Sequence, residues 1–125
     1  MSSILLIDDN KQIAAGCLKG LQSLGHTVIH NSVRENLPAL MSNTKLGLVI
    51  INSSSDSASD IENFASLKSQ NPGVQGILIV EKGNFELVVK AINYGMNKVC
   101  IKPLESADLK KTVLELLKSA GIREE

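Results

Sequence analysis

Four short stretches of this chain are apolar without a break: Ile4-Leu-Leu-Ile7, Leu48-Val-Ile-Ile51, Ile77-Leu-Ile-Val80 and Val99-Cys-Ile101. A strand with one face in water alternates apolar and polar side chains. An unbroken run belongs where helices cover both faces of a parallel sheet. These four are therefore predicted to be buried strands. A fifth stretch, Thr27-Val-Ile-His30, is shorter and more polar, as an edge strand would be.

Helical patterns fill the gaps. Ile13, Cys17, Leu21 and Leu24 recur at three- and four-residue spacing, and Gly25 supplies a stop. Residues 60–70 offer Ile61, Phe64, Ala65 and Leu67, with Pro72 beyond the end. Residues 84–94 offer Phe85, Val88, Val89 and Ile92 as an apolar face closed by Gly95. Residues 105–119 offer Leu109, Val113, Leu116 and Leu117. Between 33 and 43 the pattern is weaker. Ser32 with Glu35 resembles a capping box, but Pro38 would break a helix begun there, so a short helix capped by Asn36 is predicted. Strands and helices alternate five times, which implies right-handed crossovers and a doubly wound α/β sandwich in one domain spanning 1–125.

Composition removes several functions. Lys plus Arg and Asp plus Glu each total 13, so there is no basic stripe for nucleic acid. Phe64, Phe85 and Tyr94 are the only aromatics, too few for stacking platforms. No apolar run approaches a membrane span, and MSSILLIDD lacks the basic start of a signal peptide. Cys17 and Cys100 lie far apart in apolar contexts and are read as small buried hydrophobes in a reducing compartment. A cytoplasmic protein is expected. His26 and His30 flank the edge strand with no third ligand in view, and Met41 and Met96 are read as packing residues.

In open α/β sheets ligands bind beyond the carboxyl ends of the strands. The first strand is followed by Asp8-Asp9-Asn10, the third ends in Asn52 before Ser53 and Ser54, the fourth is followed by Glu81 and Lys82, and the fifth by Lys102-Pro103. Adjacent carboxylates at a strand end suit a hard cation such as Mg²⁺. They equally suit a solvated helix start, where acids complement the dipole. The serine tract from Ser53 to Ser59 falls between a strand and a helix, so it is a βα loop and not a linker. Serines there are turn formers before they are phosphorylation sites. A glycine-rich phosphate loop is absent from the sequence, and Asn10 stands where a cobalamin-binding domain would need histidine.

Taken together, ILLIDDN at 4–10, LVIIN at 48–52 and AINYGMNKVCIKP at 91–103 resemble the receiver domains of two-component response regulators, over essentially the whole chain. The resemblance implies a flavodoxin-like (βα)5 three-layer sandwich with a five-stranded parallel sheet in order 2-1-3-4-5. It also implies a Lys-Pro bond that is commonly cis. In that family an aspartate ending the third strand accepts a phosphoryl group, and Mg²⁺ is held by the acid pair and by a backbone carbonyl two residues past the acceptor. Carried over, the metal positions are Asp8, Asp9 and the Ser54 carbonyl, the acceptor position is Asn52, the hydroxyl-switch position is Glu81, the aromatic-switch position is Val99, and the family's lysine is Lys102.

Several of these depart from the family's pattern. Asn52 is an amide and cannot form an acyl phosphate. Glu81 would repel a phosphate where a small hydroxyl is usual. Lys82 replaces a small residue, Val99 an aromatic, and Ser55-Asp56 and Ser59-Asp60 the usual Met-Pro and Asp-Gly pairs. The departures point to a degenerate receiver, or pseudo-receiver, in which Lys102 pairs with Glu81, Asn52 or one of the acids. Glu81 solvated at the loop edge is the rival arrangement. Mg²⁺ binding is expected to be weak or absent, with no cofactor required. The expected function is signalling by phosphorylation-independent contact with a protein partner, such as a kinase, an output domain or a second copy, and not catalysis. A phosphorelay switch using Mg²⁺ and a substitute acceptor is the alternative. The partner face implied by the family comprises the fourth helix, fifth strand and fifth helix, and would draw on Lys90, Asn93, Tyr94, Lys98, Asp108 and Lys111. It is polar and mixed in sign.

Overall fold

The computed structural model describes residues 3–7, 22, 27–31, 46–52, 57–102 and 106–119. In chain order these form β1 (Ser3–Ile7), β2 (Thr27–Asn31), β3 (Leu46–Asn52), α1 (Ser57–Gln70), β4 (Gln75–Val80), α2 (Phe85–Asn93), β5 (Lys98–Ile101) and α3 (Ser106–Ser119). The predicted helices at 13–24 and 33–43 lie outside the described residues, apart from helical Gln22. So do Cys17, Met41 and the Lys102-Pro103 bond.

All strand pairings are parallel and the sheet order is β2-β1-β3-β4-β5. Alternation along each strand splits the core in two. Leu5, Ile7, Val49, Ile51, Leu78 and Val80 pack with Ile61, Phe64 and Leu67 of α1 and Ala91 of α2. Ile4, Leu6, Leu48, Ile50, Ile77 and Ile79 pack with Leu109, Val113, Leu116 and Leu117 of α3. This is why the strands read as continuous apolar runs: each face has its own helical cover. Every fully buried Leu or Ile contributes roughly 1.5–3 kcal/mol against exposure.

One predicted boundary, one strand's burial and one helix face differ from expectation. α1 starts at Ser57, so residues 57–59 of the serine tract belong to its first turn and not to the loop, and Asp60 is buried in that turn. The strand at Val99–Ile101 is an edge strand like β2. It pairs only with β4, both its end residues are exposed and its middle two are half-buried. In α2 the buried residue is Ala91, flanked by partly buried Leu87 and Val88, while Phe85, Val89 and Ile92 face outward. The small Ala91 lets the helix lie close on the sheet, and Phe64 and Met96 already fill the neighbouring space. Met96 is a packing residue as expected, and Cys100 is half-buried rather than buried.

Turns tie the layers together. α2 ends in a Schellman motif: the Met96 amide donates to the Ala91 carbonyl at 2.9 Å and the Gly95 amide to the Ile92 carbonyl at 3.2 Å. Gly95 takes the positive φ of 92° that this stop requires. Lys68 near the end of α1 donates to the Gly95 carbonyl at 3.1 Å and stands 5.7 Å from the Phe64 ring centroid. Asn97 clasps β4 from both sides, donating its amide to the Gly76 carbonyl and accepting the Gly76 amide at its side-chain oxygen, each at 2.9 Å.

Candidate functional site at the strand ends

The carboxyl ends of β3, β4 and β5 carry the described part of the predicted site. Asn52 is the last residue of β3, is 3% exposed, and is in register with Ile79 of β4. On the other side of β3, Ile51 is in register with Ile7 of β1. Asp8, Asp9 and Ser54 lie outside the described residues.

Glu81 and Lys102 come together through the sheet register. Val80 and Ile101 are partners across β4 and β5, so the chains leave the sheet side by side. The Lys102 amide still donates to the Val80 carbonyl at 2.8 Å, which fixes its backbone beside β4. From there Lys102 Nζ reaches Glu81 Oε1 at 3.1 Å. The pair sits at the rim, with the lysine side chain 21% and the glutamate side chain 66% exposed. Of the arrangements expected for Lys102, the structure has the Glu81 pair, and Glu81 is not merely solvated. In this solvated geometry the pair contributes roughly 0.2–1 kcal/mol to stability, so its consequence is to occupy the lysine.

A tight turn aims the glutamate. The Asn84 amide donates to the Glu81 carbonyl at 3.2 Å, and Gly83 at the third turn position has φ of 91°. A left-handed third residue is the requirement of a type II turn. The turn then feeds α2, whose N-cap residue Asn84 makes no side-chain cap. Val99, three residues before Lys102, is half-buried and packs against the core beneath α1 and α2.

The predicted partner-face residues are spread over three elements. Lys90 pairs with Glu62 of α1 at 3.0 Å and lies 5.4 Å from the Tyr94 ring centroid, so it braces α1 against α2. Asn93, Tyr94, Lys98, Asp108 and Lys111 are exposed. The Asp108 carbonyl accepts the Thr112 hydroxyl at 3.1 Å. Cys100 faces α3, where burial pushes its thiol above the ordinary range, while a hydrogen bond with Thr112 and the charge of Lys98 pull it partly back. Three features escaped the sequence reading: the outward apolar stripe of α2, the buried Asp60 and the brace at Lys68. Spacing gave the stripe away as a helix face but carried no signal for which way it points.

The sequence matches the response regulator receiver domain family over residues 4–114. The chain belongs to that family. Solved structures show the same fold at low identity. A CheY-like receiver domain protein from Methanospirillum hungatei JF-1 is 21% identical with a TM-score of 0.83, each chain covered over 97% of its length. A response regulator from Thermotoga maritima is 13% identical with a TM-score of 0.79, covering 94% of this chain and 98% of that one. NtrX from Brucella abortus is 22% identical with a TM-score of 0.77; the match covers 96% of this chain but 27% of NtrX. No curated protein matches the sequence. The described helices of this receiver domain include none long and apolar enough to cross a membrane.

Proposed function

We propose that this receiver domain signals by contact with a protein partner, without phosphorylation of Asn52. The observation that carries the reading is Lys102 held at 3.1 Å by Glu81, at the rim of a sheet whose third strand ends in an amide. A phosphoryl group arriving there would meet a lysine already neutralised and a carboxylate that repels it. Asn52 offers an uncharged oxygen in place of a nucleophilic carboxylate. The same reading makes Mg²⁺ weakly bound and dispensable: Asp8, Asp9 and the Ser54 carbonyl would have to hold it without the charge of a third carboxylate. The Glu81–Lys102 pair is then a built-in substitute for the phosphate contact, holding the β4 and β5 ends in one arrangement.

A module of this kind works in the cytoplasm as a binding partner and not as an enzyme. NtrX, where the matched region is about a quarter of a longer chain, supports a kinase or output domain as one kind of partner. The test is the intact mass after incubation with Mg²⁺ and acetyl phosphate. The expected result is an unchanged mass. A gain of one phosphoryl group, mapped to any residue, would overturn the reading in favour of a switch with a substitute acceptor.

A further inference from the structure

We draw no further inference here: the strongest candidate, the exposed apolar stripe of Phe85, Val89 and Ile92 along α2 with Ile101 on the adjoining β5 edge, belongs to the partner face that the family resemblance already implies, and nothing in the structure shows what else covers it.

Discussion

Gly76 lies within β4 beneath the most crowded point of the core. A Cβ built there would sit 2.7 Å from Phe64 Cζ, 2.9 Å from Phe64 Cε1 and 3.0 Å from Met96 Cε. The backbone at this position is not in the left-handed region, so alanine is conformationally allowed and the question is purely steric. The methionine methyl can move; the ring cannot move easily. Phe64 is fully buried, packed among β-strand side chains, and has the Lys68 ammonium close to its ring. Replacing glycine would ordinarily stabilise by about 0.4–1 kcal/mol through the unfolded chain. Overpacking a rigid core costs about 1–3 kcal/mol. The steric term wins, and Gly76→Ala is predicted to lose about 1–2 kcal/mol. For a domain of this size that lowers Tm by roughly 3–8 °C. Urea unfolding should show a lower midpoint with an unchanged slope. Phe64→Leu removes the two ring atoms concerned, so in that background the alanine should cost little, giving a coupling of about 1 kcal/mol or more in the double-mutant cycle. The reasoning is refuted if Gly76→Ala is as stable as the parent, or if its cost is the same with Leu at 64.

Glu81→Ala and Lys102→Ala should each reduce stability by about 0.2–1 kcal/mol, and the double variant by no more than one of them, as chemical denaturation can measure. The difference from the parent should shrink as salt rises, because the pair is solvent-accessible. Cys100 should be alkylated more slowly than a free thiol at mildly alkaline pH, as peptide mapping will show, since burial favours its protonated form. The stability linked to that raised pKa is complete below the unfolded thiol's pKa and is lost as pH rises toward the folded one, so Cys100→Ala should flatten the alkaline limb of the stability curve.

Much of the fold was legible because each strand carries its own signature. Runs such as Leu48–Ile51 contain no polar residue, and only a sheet covered on both faces can accommodate them. α3 was equally plain, with Leu109, Val113, Leu116 and Leu117 on one side and all four buried. The β5 run was misread for a specific reason: Val99, Cys100 and Ile101 are as apolar as a central strand, yet no further strand covers their outer edge. At the site, the residue types at the strand ends were visible in order, including Asn52, Glu81 and Lys102. Asp60 went unrecognised because a loop of serines and acids gives no periodicity with which to place a helix start.

The chain's sequence by itself determined which segments become strands, that α1 stops short of Pro72 and α2 short of Gly95, and which functional groups stand at the strand ends. These depend on local sterics and on residue-by-residue polarity, and both are written along the chain. Only the tertiary structure decided that Lys102 takes Glu81, because that choice follows from Val80 and Ile101 being register partners. Only it decided that α2 turns Ala91 inward and leaves Phe85, Val89 and Ile92 outside. Helical periodicity specifies that a face exists; what covers the face depends on the volume that the neighbouring elements leave free.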